Sequence, residues 1–228
     1  MLFDLLGAMF TGDADALKWR LASVLLALPV ILLALCLHET AHGFVAKKLG
    51  DPTASSLGRL TLNPLKHLDP IGFLCMLCFG FGWAKPVPIN TRYFKKPRRD
   101  MVLCALAGPV SNIILAFVFA LLLKISTAAV PLGSQLTENM FMFTCLFLWL
   151  GIRLNITLAV FNLLPIPPLD GSKILFIFLP KKWIAKIIEH ERIIYFVMLA
   201  LLFLGVLDYP INFLSDLLLS FISIIFAL

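Results

Sequence analysis

Apolar residues in this chain are gathered into long blocks, and those blocks predict its elements. Leu21 to Leu37 carries no charge and runs without a break through His38-Glu39-Thr40-Ala41-His42. One helix is expected to continue to about Leu49, where Gly50-Asp51-Pro52 stops it, and Pro29 lies inside it. Val102 to Leu123 is a second uncharged block, and Met140 to Leu164 a third, interrupted by Arg153. Blocks of this length predict membrane-spanning helices. The Pro-rich break Pro165-Ile166-Pro167-Pro168 then leads to a shorter apolar piece ending at Pro180. Ile193 to Leu207 and Ile211 to Leu228 predict a helical hairpin turned at Asp208-Tyr209-Pro210. The apolar opening Met1 to Phe10 has no Lys or Arg before it, which predicts a short interfacial helix rather than a cleaved signal peptide.

Composition agrees with the blocks. Of 228 residues, 61% are hydrophobic and only 14% charged, which excludes a disordered chain, a secreted disulfide scaffold and an ordinary soluble enzyme. The fold expected is an all-α polytopic membrane protein with about five to six transmembrane helices. Residues 1–228 read as a single domain, with a core over 21–180 and a C-terminal helical hairpin over 193–228. The net charge of +6 does not point to nucleic acid, because Lys and Arg collect in the loops between blocks, where they hold segments to the cytoplasmic side. Five cysteines, all in or beside apolar runs, read as buried free thiols, and the Cys75/Cys78 pair as packing residues.

Pro70 to Gly82 is apolar, but its 13 residues include three glycines and are too few for an ordinary span. Lys47, Lys48, Arg59 and Lys66 precede it, and Lys85, Arg92, Lys95, Lys96, Arg98 and Arg99 follow. A crossing would put strongly basic loops on opposite sides, so a re-entrant or interfacial segment is expected. The region from Lys47 to Arg99 is then cytoplasmic, Val102 to Leu123 leads out, and Met140 to Leu164 returns. Lys18 and Arg20 are exceptions to the charge rule in this arrangement.

His38-Glu39-Thr40-Ala41-His42 is an HExxH. On a helix the two histidines share a face one turn apart and can both reach one Zn²⁺, with Glu39 beside them to take a proton from the metal's water. An ionisable triplet in an apolar block is expensive and by default marks a functional site. A catalytic zinc needs a third protein ligand, and Asp170, His67 and Asp69 compete for that place. His42 lies five residues, roughly 7 Å, from Lys47. The charge-derived topology delivers Asp170, on the Pro-broken backbone after the returning span, to that same side. His67 and Asp69, followed by Pro70, read as a surface turn, so Asp170 is favoured. An N-cap for the following helix is its plainer reading.

Three motifs together resemble the site-2 protease family of intramembrane zinc metalloproteases. They are HETAH in a membrane helix, Ala107-Gly108-Pro109 in a later one, and Asn162-Leu163-Leu164-Pro165-Ile166-Pro167-Pro168-Leu169-Asp170-Gly171. Gly82-Trp83-Ala84-Lys85-Pro86-Val87-Pro88-Ile89-Asn90 is similar to compact prokaryotic members, which lack PDZ and CBS domains. The resemblance implies one Zn²⁺ per chain held by His38, His42 and Asp170, with Glu39 as catalytic base. It also implies a membrane-anchored protein substrate in the bilayer, cut near the cytosolic face of a multi-pass cell-membrane protein. Asn162, eight residues before Asp170, is a candidate donor to the developing oxyanion, the alternative being that it satisfies backbone freed by the prolines. Asn155 shares that face.

Arg153 is expected to pair with a carboxylate such as Asp216. Thr53 to Leu62 and Trp83 to Tyr93 have β-compatible patterns that predict a small sheet able to hold an unwound substrate as an added strand; the rival is Pro-fixed loops. The competing function is a zinc-binding membrane transporter or channel, which has no need of Glu39. Oligomeric state is not legible.

Overall fold

A computed structural model describes residues 14–79, 82–128 and 135–227. The predicted interfacial helix over Met1 to Phe10 lies outside the described residues. Among the described residues the regular elements are all helical, without a strand. The order is α1 (Ala14–Lys48), α2 (Thr53–Ser56), α3 (Pro70–Phe79), α4 (Pro97–Ala128), α5 (Gln135–Leu163), α6 (Asp170–Leu175), α7 (Lys181–Glu189), α8 (Glu191–Phe203) and α9 (Asp208–Phe226), with single 3-10 turns at Pro64–Lys66 and Thr91–Tyr93.

Four of these helices, α1, α4, α5 and α9, are long and apolar enough to cross a membrane. At 35 residues α1 is about 52 Å long, and it carries Pro29 without a break. Its end follows from Gly50, which takes φ +107°, while Gly50 N–H donates to Lys47 O at 3.1 Å and Asp51 N–H to Ala46 O at 2.9 Å. That is the pairing of a Schellman C-terminus, in which a left-handed glycine satisfies the last carbonyls. The core lies where α1, α4 and α5 meet, around Val30, Ala116, Phe119, Ile152 and Ile156, and α9 packs on α5 and α4. Large apolar side chains also point outward, among them Leu25, Ile114, Phe213, Leu217 and Ile224. Helices with that exterior are suited to lipid rather than water.

Two expectations change. The Ile193 to Leu207 block yields only the 13-residue α8, because the chain turns at Leu204 and Gly205 takes φ +71°. At about 20 Å, α8 is too short to cross. The predicted sheet is absent among the described residues. Thr53–Ser56 forms a helical turn, with Asp51 accepting from Thr53 N–H at 3.0 Å. Pro86 and Pro88 have no N–H to give to a ladder. What remains is a single antiparallel bridge between Leu68 and Ala84, with Lys85 N–H donating to His67 O at 2.7 Å. Gly72 and Gly82 lie so close that a Cβ on Gly82 would run into the Gly72 carbonyl. The chain that leaves along α3 therefore returns to where it started. Arg153 Nη1 does meet Asp216 Oδ1, at 2.9 Å, tying α5 to α9.

Candidate metal centre

His38 and His42 lie one turn apart on the side of α1 that faces α4 and α6, and their rings meet edge to face with centroids 4.6 Å apart. Asp170 opens α6 opposite them. Its Oδ2 is 3.2 Å from His38 Nε2 and 3.0 Å from His42 Nε2. The three atoms able to ligate lie within 4.8 Å of one another, and the residues are only 4%, 7% and 5% exposed, respectively.

Hydrogen bonds behind the rings fix which nitrogen faces inward. His42 Nδ1 is 2.7 Å from the Cys104 carbonyl, which can only accept, so Nδ1 carries the proton. His38 Nδ1 is 2.6 Å from Asn112 Oδ1. The orientation of that amide is set by its Nδ2, which donates to Asn155 Oδ1 at 3.0 Å and to the Ala34 carbonyl at 3.4 Å. Asn155 in turn donates to the Gly151 carbonyl at 2.8 Å. Both imidazoles, when neutral, thus present a bare Nε2 lone pair to an anionic oxygen. Such an arrangement holds only with positive charge among the three atoms, as a proton or a metal ion. Two imidazole nitrogens and one carboxylate oxygen are a donor set that a catalytic zinc takes, and buried carbonyl and amide partners on the far nitrogens are what hold such ligands in place.

Space for an ion comes from Gly108. A Cβ there would stand 2.5 Å from both Nε2 atoms. Cys104, Gly108 and Asn112 follow one another at intervals of four, so one stripe of α4 supplies a carbonyl, a gap and an amide. Gly171 admits the carboxylate: any side chain there would collide with the Leu163 and Leu164 backbone, where α6 starts tight against the end of α5. Lys173, one turn on, places Nζ 2.9 Å from Asp170 Oδ1 and so leaves Oδ2 facing the histidines.

Glu39 is half-buried, and its Oε2 accepts from Val87 N–H at 2.8 Å. Val87 stands between two prolines on a segment fixed from both sides. Arg59 Nη2 donates to the carbonyls of Lys85 and Pro86 at 2.8 and 3.2 Å, and Asn90 N–H donates to Asp51 Oδ2 at 2.6 Å. Burial works against the Asp51 carboxylate, but the Thr53 hydroxyl and the N–H groups of Asn90 and Thr53 hold its pKa below the ordinary value.

The other sequence candidates lie elsewhere. His67 is buried, with Nε2 2.7 Å from the Thr61 carbonyl, which also accepts from Thr40 Oγ1 at 3.0 Å. Asp69 accepts from Gly72 N–H at 2.8 Å at the start of α3. Asn162 directs its amide to the Leu158 carbonyl one turn back, at 2.9 Å, and not to the three converging side chains. Asn112, Gly108, Lys173 and the Val87 N–H were not singled out from sequence as parts of the centre. The available signal was an Asn in an otherwise apolar block, four residues after the Gly of Ala107-Gly108-Pro109.

Residues 125–205 match the family described as "Peptidase family M50", a region that includes Asp170 and stops short of the HExxH. The chain is 45% identical over 172 residues to "Putative zinc metalloprotease YwhC" of Bacillus subtilis, covering 75% of this chain and 77% of that protein. The chain belongs to peptidase family M50. Other M50-like relatives include "Putative zinc metalloprotease Rip2" of Mycolicibacterium smegmatis, 32% identical over 181 residues, covering 71% of this chain and 64% of that protein. "Putative zinc metalloprotease MJ0611" of Methanocaldococcus jannaschii is 37% identical over 143 residues, covering 60% of this chain and 62% of that protein. No solved structure gives a significant match. M50 membership agrees with the resemblance to site-2 proteases carried by the motifs.

Proposed function

We propose that the chain is an intramembrane zinc endopeptidase, hydrolysing peptide bonds in or near transmembrane segments of membrane-anchored proteins. In this reading His38, His42 and Asp170 hold one Zn²⁺, Glu39 is the catalytic base, and Asn162 donates to the oxyanion. The observation that carries it is the convergence of two bare imidazole nitrogens and a carboxylate oxygen beside a glutamate. The zinc metalloprotease names of the M50 relatives support it.

When bound, Zn²⁺ supplies Lewis-acid polarisation of the scissile carbonyl and makes water acidic enough to lose a proton near neutral pH. Glu39 takes that proton. Val87 N–H holds Oε2 and aims the carboxylate, leaving Oε1 to receive it. The same carboxyl then protonates the leaving amine. Asn162 serves the oxyanion once its amide turns away from the Leu158 carbonyl.

Residues 1–228 act as one membrane-embedded domain, in a multi-pass cell-membrane protein with the centre near the cytoplasmic side. The closure of Leu68 on Ala84 supports a re-entrant path for Pro70 to Gly82, which keeps the basic residues from Lys47 to Arg99 on one side.

The test is paired: zinc content, and cleavage of a reconstituted single-span substrate, for wild type and Glu39→Gln. The variant is expected to keep zinc and lose at least about 10²-fold of cleavage. Undiminished cleavage overturns the role of Glu39. Zinc flux without cleavage by wild type would favour a transporter.

A further inference from the structure

Helix α7, Lys181–Glu189, is the most amphipathic helix described, yet none of its residues is buried. At about 100° per residue, Trp183, Ile184, Ile187 and Ile188 fall within one arc of about 140°. Trp183 is 59% and Ile188 56% exposed. Lys182, Lys186 and Glu189 occupy the opposite side, and Lys181 flanks the apolar arc. Across 181–192 four basic side chains, including Arg192, stand against two acidic ones.

The helix is tethered closely at both ends. Five residues separate Leu175, the end of the helix that Asp170 opens, from Lys181, and α8 begins directly after His190. An apolar face held beside a membrane-spanning bundle, with lysines on the other side, has the pattern of a helix lying in the headgroup layer. An aqueous protein partner would leave the lysines' proximity to the bilayer without a role. Anionic lipid uses it, because basic groups at the surface are attracted to phosphates while their stems lie along the acyl boundary.

We propose that α7 is a docking surface for a bilayer containing anionic phospholipid: Trp183, Ile184, Ile187 and Ile188 enter the acyl boundary, and Lys181, Lys182 and Lys186 engage headgroup phosphates. Ile187 and Ile188 also line a cavity of about 60 Å³ with Pro167, Pro168, Ser172 and Lys173. That contact sets the C-terminal half of α7 beside the turn that carries Asp170.

The experiment is hydrogen–deuterium exchange on the full-length protein in nanodiscs of phosphatidylcholine alone or with phosphatidylglycerol at about one lipid in three. Peptides from α4 serve as the internal reference. Amides over 183–190 are expected to exchange several-fold more slowly in the anionic discs, since each surface lysine contributes about five-fold in affinity. Lys181→Gln/Lys182→Gln/Lys186→Gln should abolish that difference while α4 keeps its protection. Equal exchange over 183–190 in both discs overturns the proposal, as does a difference that survives the triple substitution. No step of the experiment depends on protease activity.

Discussion

Asn112 is placed where a small change should act on the metal rather than on the fold. It is fully buried, accepts from His38 Nδ1 at 2.6 Å, and donates to Asn155 Oδ1 and Ala34 O. Asn112→Ala removes the acceptor that holds the His38 ring and leaves its Nδ1–H unpaired in a dry site. Partners of this kind are worth about 10–100-fold in metal affinity, which is about 1.4–2.8 kcal/mol. Leaving a buried donor unsatisfied costs about 1–3 kcal/mol, the same range. Purified protein in detergent, titrated against a chelator of known zinc affinity, should show a dissociation constant raised about 10–100-fold. Cleavage should recover substantially at saturating zinc, because no group that touches substrate has been removed. Asn155→Ala, one bond further away, should have a smaller effect on zinc. The reasoning is refuted if Asn112→Ala leaves zinc affinity unchanged while lowering thermal stability, since the amide would then be a packing contact only.

Gly108→Ala should abolish zinc binding outright while the helical circular dichroism stays native, because its Cβ would occupy the space between the two Nε2 atoms; metal analysis of the purified variant checks this. Arg153→Leu should lower the unfolding temperature in detergent more than Arg153→Leu/Asp216→Leu, since the single change leaves the exposed Asp216 carboxylate unpaired on the apolar outer surface of α9. Asp51 has a folded pKa below its unfolded value, so its contribution is full above about pH 4 and fades as pH falls through the lower folded value. Melting curves of wild type and Asp51→Asn should therefore differ more at pH 6 than at pH 3.

The histidines and Glu39 were legible because helical spacing alone puts 38 and 42 on one face. Asp170 was favoured over His67 and Asp69 from the charge of the loops alone, and its carboxylate is the one that meets both histidines. The Arg153–Asp216 pair followed from the expense of a lone charge in an apolar block. Asn112 was harder: its partner is 74 residues away, and only the packing of α4 on α1 sets which residue meets the back of His38. The hold on Glu39 comes from a backbone N–H, which no side-chain pattern encodes. The alternation over Thr53 to Leu62 misled for a local reason. Asp51 accepts from the N–H of Thr53, where a short helical turn begins, and the period of two that follows belongs to loop residues rather than a ladder.

Zinc K-edge X-ray absorption of the purified, zinc-loaded protein tests the centre most directly. Two imidazole nitrogens and carboxylate or water oxygens, all at about 2.0–2.2 Å, are expected, with no sulfur shell. A scatterer at about 2.3 Å would assign the metal to cysteine thiolates instead and contradict the set of His38, His42 and Asp170.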